Sequence, residues 1–136
     1  MAEFTIGQLA RKAGVGVETI RFYERERLLT KPARSRSGYR RFGQDAVAGL
    51  AFIRRAKNLG FSLAEIRELL ALRADPSKDC SAVDRRVQAK ISQIEEKVRE
   101  LQRMKRALRK LSAACINGTT VRDCVILDSL SGDGNL

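Results

Sequence analysis

Histidine and tryptophan are absent from this 136-residue chain, and proline occurs only twice. Without imidazole, the chain lacks the side chain that most often acts as a general base in enzymes. No carboxylate pair lies near the cysteines to replace it. We therefore expect no catalytic residues and no enzyme activity. Any metal site must be built from sulfur, with oxygen as the only supplement.

Long apolar segments are also missing. No run of 18 apolar residues exists, so no segment is expected to cross a membrane. The first residues, MAEFTIGQLARKAGVG, lack the charged-then-apolar layout of a signal peptide. Three cysteines are an odd number and a poor disulfide framework. The sequence therefore predicts a cytoplasmic protein with reduced thiols.

The three cysteines are unevenly placed along the chain. Cys115 and Cys124 enclose eight residues rich in Gly, Asn and Thr, and Cys80 lies far upstream. Thiolate is a soft ligand that selects among metals, so these residues are candidate metal ligands. Two alternatives stay open at this point: free cysteine also behaves as a small buried hydrophobe, and Cys115 with Cys124 is compatible with a redox switch.

Positive charge is in excess and concentrated in the first half of the chain. The 27 Lys and Arg residues outnumber 16 Asp and Glu, for a net charge of +11. Residues 1–60 hold 13 basic and 5 acidic side chains. Such an excess suits a polyanionic partner, which we expect to bind the N-terminal half. A ribosomal or merely solubilising role is the alternative explanation.

Two short helices and a basic hairpin are predicted at the N-terminus. Thr5 and Gln8 form a capping box, and Gly14 separates the first helix from a second that carries ETIRFYE. Two helices around such a turn are typical of a helix-turn-helix. Residues 31–42 combine Pro, Ser and Gly with five basic residues and two aromatics. The pattern predicts a basic wing with a short strand at 39–42; a solvated loop is the alternative.

Three further helices are predicted, at 44–58, 62–72 and 81–113, and Ser62 with Glu65 forms a second capping box at the start of the middle one. The last contains neither Gly nor Pro, and its apolar residues recur close to a heptad spacing. They are Val83, Val87, Ile91, Ile94, Val98, Leu101, Met104, Leu108 and Leu111. A helix about 50 Å long cannot bury this apolar row against the small N-terminal part. It needs a partner, most simply a second copy of itself, parallel or antiparallel.

These motifs and their order resemble the MerR family of metal-responsive transcription regulators. The resemblance rests on TIGQLARKAGVGVETIRFYERERLL, the wing SGYRRF, the helix LGFSLAEIRELL and the terminal C-x8-C. It implies a mainly α fold, with a winged helix-turn-helix DNA-binding domain at 1–74 and a linker carrying the first metal ligand at 75–80. A long antiparallel coiled-coil dimerisation helix at 81–113 and a metal-binding loop and tail at 114–136 follow.

The resemblance also implies how the cysteines are used. Cys80 stands just before the long helix, and Cys115 and Cys124 bracket the loop after it. In an antiparallel homodimer, Cys80 of one subunit would join Cys115 and Cys124 of its partner in a three-thiolate site. Such a site suits Hg(II) best as the effector, with Pb(II), Cd(II) and Zn(II) as alternatives. The copper- and silver-sensing branch has serine where this chain has Cys80, and the zinc-sensing branch adds a cysteine and a histidine that are absent here.

Promoter DNA and RNA polymerase are the remaining partners that the resemblance implies. The family represses without metal and activates by distorting the operator when metal binds. The candidate DNA contacts are Glu18, Thr19, Arg21, Tyr23, Tyr39, Arg40, Arg41 and Arg54. Leu9, Val17, Ile20, Phe22 and Leu28 are expected in the core. A regulator sensing an organic ligand or redox change, or an architectural nucleic-acid binder with inert cysteines, remains an alternative.

Overall fold

The computed structural model describes residues 3–30 and 41–132, most of them helical. The helices are α1 Ile6–Ala13, α2 Val17–Arg25, α3 Gln44–Asn58, α4 Leu63–Arg73, α5 Cys80–Ala113, a 3-10 turn at Val121–Asp123, and α6 Val125–Ser131. The chain divides into two compact units, one ending at Val87 and the other beginning at Gln88. The first two turns of α5 therefore belong to the first unit.

Both predicted capping boxes are present. The Thr5 hydroxyl accepts from the Gln8 backbone N–H at 3.2 Å, and the Gln8 side chain accepts from the Thr5 N–H at 2.9 Å. Ser62 and Glu65 repeat the arrangement at 3.2 and 2.8 Å. Each pair satisfies backbone donors that the first turn of a helix leaves free. Both capping boxes are confirmed, and α1 and α4 begin directly after Thr5 and Ser62.

The core of the first unit forms where α1 packs against α2 and α3, and α3 packs against α4. Its buried side chains are Leu9, Ala10, Ile20, Tyr23, Leu28, Leu29, Phe42, Leu50, Ile53, Ala56 and Ile66. The expected core residues Leu9, Ile20 and Leu28 are among them, and Val17 and Phe22 pack against the cluster as partly buried side chains. The apolar spacing of the short helices therefore located this core correctly.

Phe42 connects the end of the predicted wing to the beginning of the chain. Its backbone N–H donates to the Phe4 carbonyl at 2.7 Å, and the Phe4 N–H donates to the Phe42 carbonyl at 2.6 Å. This isolated antiparallel bridge holds the Phe42 ring in the core, where it is 2% exposed. The rest of the predicted wing, residues 31–40, lies outside the described residues.

α4, α5 and the segment after α5 depart from the predicted bounds. α4 spans Leu63–Arg73 where 62–72 was predicted, because Ser62 is its N-cap residue. α3 spans 44–58 as predicted, whereas α5 begins at Cys80, one residue earlier than expected. Cys80 is thus the first helical residue and does not precede the helix. The Asp79 carboxylate accepts from the Ser81 N–H at 2.9 Å, which caps the helix at that point. The predicted loop after α5 also contains the 3-10 turn and α6, which the sequence reasoning missed.

The second unit contains most of α5, with a row of exposed apolar side chains along it. Within one chain, exposure along this row increases from 41% at Ile91 to 57% at Leu101 and 64% at Leu108. These residues belong to the predicted seam. A contiguous exposed apolar row of this length is typical of an interaction surface.

Candidate DNA-binding surface and metal ligands

The outer face of α2 carries three of the predicted DNA contacts. Glu18 and Arg21 are exposed and Thr19 is half-buried. Arg21 Nη1 lies 3.5 Å from Glu18 Oε1, in an ion pair between residues three positions apart on the helix. In a helix-turn-helix, the second helix presents residues near its N-terminus to the major groove. Arg21 must exchange its partner Glu18 for phosphate or a base edge if it binds DNA.

Tyr23, also predicted to contact DNA, lies on the opposite, inner face of α2. It is 7% exposed, and its ring centroid is 5.9 Å from that of Phe22. The ring is therefore a core side chain, because α2 needs an apolar face against α1. Any contact of its hydroxyl with a flanking phosphate remains a prediction.

The other predicted contacts follow the wing and α3. Tyr39 and Arg40 lie outside the described residues, whereas Arg41 is described and exposed. Arg54 on α3 is also exposed, and its Nη1 donates to the Ala13 carbonyl at 3.5 Å. Ala13 is the last residue of α1, so Arg54 places a positive charge where the helix dipole is negative. Arg54 thus has a structural role in addition to its predicted one.

The C-terminal end of α2 has a conformation that sequence reasoning did not identify. Arg27 has φ of 60°. This left-handed backbone conformation is energetically unfavourable for residues other than glycine. The Leu28 N–H donates to the Tyr23 carbonyl at 2.8 Å, and the Arg27 N–H to the Glu24 carbonyl at 3.2 Å. This is a Schellman motif, and it turns the chain so that Leu28 enters the core.

Arg67 of α4 binds this same helix end from across the first unit. Its Nε and Nη2 donate to the Glu26 carbonyl at 3.0 and 2.8 Å, and Nη2 lies 3.3 Å from the Glu26 carboxylate. An arginine near a helix C-terminus satisfies an unpaired carbonyl and stabilises the negative end of the dipole. No local sequence pattern predicts this contact, since the two residues are 41 positions apart.

The cysteines are free thiols at the two ends of α5. Cys80 is its exposed first residue. Cys115 is exposed and Cys124 is half-exposed. In the loop between Cys115 and Cys124, the Thr119 hydroxyl donates to the Ile116 carbonyl at 2.8 Å, and Gly118 has φ of 93°. Cys124 is the N-cap residue of α6.

Within residues 3–30 and 41–132 of a single chain, no three Cys, Asp or Glu side chains form a group that could hold a metal ion. The structure therefore does not bring the three predicted ligands together in one chain.

Two carboxylates in the segment before α5 have perturbed acidity. Hydrogen bonds from the Ser77 hydroxyl and backbone N–H hold the pKa of Asp75 below its usual value. Hydrogen bonds from the hydroxyl and N–H of Ser81 do the same to the pKa of Asp79. Both carboxylates are thus held in the ionised form, and they order the turn that leads into Cys80.

Among residues 3–30 and 41–132, every helix is too short or too polar to span a bilayer. The first unit has the features of a helix-turn-helix DNA-binding domain: two short helices about a glycine turn, exposed arginines on the outer face of the second helix, and a supporting pair of helices behind them. The class of protein that these features define is a helix-turn-helix transcription regulator.

Comparison with known proteins identifies the family. Residues 4–72 match the family model for the MerR HTH family regulatory protein, and residues 47–111 match the model described as MerR, DNA binding. The chain belongs to the MerR family of transcription regulators. Its relatives include metal-responsive regulators of that family. The family consists of DNA-binding proteins that are not enzymes, which confirms that expectation.

Three relatives illustrate the similarity. The mercuric resistance operon regulatory protein of Shigella flexneri is 38% identical over 136 residues, covering 100% of this chain and 93% of that protein. The regulator ZntR of Escherichia coli K12 is 39% identical over 130 residues, covering 93% and 92%. The crystal structure of the transcription regulator PbrR691 from Ralstonia metallidurans CH34, in complex with lead(II), matches with a TM-score of 0.87 at 41% identity. It covers 94% of this chain and 99% of that chain.

Proposed function

We propose that this chain is a mercury(II)-responsive regulator that acts as a homodimer on the promoter of a heavy-metal resistance operon. The observation that carries the proposal is the placement of three free thiols in a chain without histidine. One begins α5 and the other two enclose the loop that follows it. Sulfur is the donor that soft metal ions prefer.

A second chain is needed to complete a three-thiolate site. α5 has 34 residues, which makes it about 50 Å long, and it separates Cys80, its first residue, from Cys115. The exposed apolar row along α5 favours pairing with a second copy. If the two helices run antiparallel, the start of one lies beside the end of the other. Cys80 of one subunit then meets Cys115 and Cys124 of its partner.

Support for the effector comes from donor chemistry and from relatives. Three thiolates without an imidazole suit Hg(II), which when bound would supply strong bonds to all three sulfurs. One relative regulates a mercuric resistance operon and another has been solved with lead(II). Pb(II) is therefore the second candidate, and Cd(II) and Zn(II) are weaker ones because they commonly take a fourth ligand.

On the DNA side, we infer that α2 and the wing bind a promoter in the cytoplasm and that the dimer acts on RNA polymerase there. Glu18, Thr19 and Arg21 are proposed to face the major groove, and Arg41 to contact the backbone. Tyr39 and Arg40 are proposed for the same wing. The dimer conformation that holds the three thiolates together is stabilised when metal is present. That conformation distorts the operator and converts repression into activation.

Mixed dimers test the cross-subunit site. A Cys80→Ala chain keeps Cys115 and Cys124, whereas a Cys115→Ala/Cys124→Ala chain keeps only Cys80. Neither homodimer has a complete site, but the mixed dimer has one. We expect the mixture, and neither homodimer, to bind Hg(II) in the presence of a competing free thiol. Binding should release protons and produce a sulfur-to-metal charge-transfer absorbance.

The same samples separate the competing functions. If the mixture binds no more Hg(II) than the two homodimers measured separately, the cross-subunit site is wrong. Formation of a Cys115–Cys124 disulfide on mild oxidation, with a change in operator footprint, would then support the redox switch. Titrating the unsubstituted protein with Hg(II), Pb(II), Cd(II) and Zn(II) in a transcription assay identifies the effector. Strongest induction by Pb(II) would replace mercury with lead.

A further inference from the structure

Arg67 and Glu68 are consecutive residues of α4 that bind two different helices. Arg67 donates to the Glu26 carbonyl at the end of α2, as described above. Glu68 Oε2 forms an ion pair with Arg86 Nη1 on α5. Successive residues of a helix point about 100° apart, so one segment of α4 can hold both neighbours. Arg86 is six residues after Cys80, about 9 Å along the helix axis.

An open cleft lies beside the Arg67 contact. It has a volume of about 720 Å³, and its lining includes Leu28 and Leu29 after α2 and Leu70 of α4. Arg67 is itself part of the lining, and it donates two hydrogen bonds to the Glu26 carbonyl. Because both donors belong to one planar guanidinium, the contact fixes the direction of the Glu26 carbonyl as well as its distance. The end of α2 is thereby tied to α4.

The ion pair ties α4 to α5 in the same way. The first two turns of α5 belong to the same compact unit as α1 to α4. Val83 and Val87 on those turns line a groove together with Phe52 of α3 and Leu69 of α4. The apolar contacts in this groove are not directional, whereas the Glu68–Arg86 pair joins one particular residue of α4 to one of α5.

We propose that Arg67 and Glu68 are positioning residues that couple the start of α5 to the C-terminal end of the recognition helix α2. Displacement of Cys80 and the first turns of α5 is transmitted through Arg86 and Glu68 to Arg67, and from there to Glu26. This inference rests on the proposed function, because it takes Cys80 to be an effector ligand. It adds the residues by which the state of the metal ligands reaches the DNA-binding helix.

Amide hydrogen exchange of the metal-free protein tests the coupling without any effector. Glu68→Gln and Arg86→Gln should each raise exchange of the Leu28 and Arg27 amides about two- to five-fold, the range expected for loss of an exposed ion pair. The double variant Glu68→Arg/Arg86→Glu, which restores the pair with reversed charges, should return exchange to within two-fold of the unsubstituted value. Arg99→Gln, an exposed arginine farther along α5, is the matched control and should change nothing.

Operator assays give a measurement that would not change if Glu68 and Arg67 had only a structural role. For Glu68→Gln, operator affinity without metal and Hg(II) affinity should stay within two-fold, while the ratio of induced to uninduced transcription falls at least three-fold. Arg67→Lys keeps the charge but loses the paired hydrogen bonds, and should reduce the ratio similarly. The reversed pair should restore it.

The inference is overturned if Leu28 and Arg27 exchange at the unsubstituted rate in both Glu68→Gln and Arg86→Gln, or if the reversed pair fails to restore them. Arg67 would then be only a local cap of α2. If the unsubstituted protein responds to none of the four metals, the proposed function fails instead. The exchange measurements still decide the coupling in that case, since they contain no metal.

Discussion

Truncating Leu101 to alanine tests whether the apolar row of α5 pairs with a second chain. Leu101 is 57% exposed within one chain. Full burial of a leucine side chain contributes about 1.5–3 kcal/mol, so covering the exposed part contributes about 1–1.7 kcal/mol per subunit. Two subunits lose about 2–3 kcal/mol, which corresponds to roughly 30- to 150-fold weaker dimerisation at 1.4 kcal/mol per tenfold.

Sedimentation equilibrium over a dilution series measures the dissociation constant directly. Alanine retains a high helix propensity, so the helical circular dichroism of α5 should persist at concentrations where the variant is still dimeric. Gln102→Ala is the matched control, because Gln102 is the exposed neighbour outside the row and should leave the dissociation constant unchanged. Equal dissociation constants for Leu101→Ala and the unsubstituted protein would refute the reasoning. So would an unsubstituted protein that is monomeric at all concentrations.

Three further predictions concern the DNA-binding unit. Arg21→Ala should weaken operator binding in a gel-shift titration and reduce its salt dependence, while metal stoichiometry stays unchanged; equal affinity at physiological salt would remove Arg21 from the contacts. Ile53→Ala should lower the free energy of unfolding by about 2–5 kcal/mol, because Ile53 is fully buried. Ile53→Val should lower it by about 0.5–1.5 kcal/mol. Similar urea unfolding midpoints for the two variants would contradict the placement of Ile53 in the core. Arg27→Gly should stabilise the protein by about 1 kcal/mol, since glycine adopts positive φ without the penalty of a side chain, and a lower melting temperature would show that the Arg27 side chain contributes more than its backbone costs.

Much of the fold follows from local signals in the sequence. The Thr5 and Ser62 capping boxes, the glycine after α1 and the long helix without Gly or Pro each depend on residues a few positions apart. Such interactions are the same wherever the segment lies in a protein, so the helices could be predicted within a residue or two. The short helix α6 was missed because its N-cap residue, Cys124, makes no side-chain cap hydrogen bond and its seven residues provide little periodicity.

The candidate site, like the fold, could be predicted only in part from the sequence. The sequence by itself determined the residue types: three soft ligands without imidazole, a basic N-terminal half and an apolar row on α5 that requires a partner. Only the tertiary structure decided that the Tyr23 ring belongs to the core, although Arg21 two positions earlier is exposed, because burial depends on which side of α2 meets α1. Only the tertiary structure also brought Arg67 to Glu26 and Glu68 to Arg86, pairs that are 41 and 18 residues apart in the sequence. Contacts between charged side chains on different helices depend on how those helices pack, and no spacing within one helix encodes them.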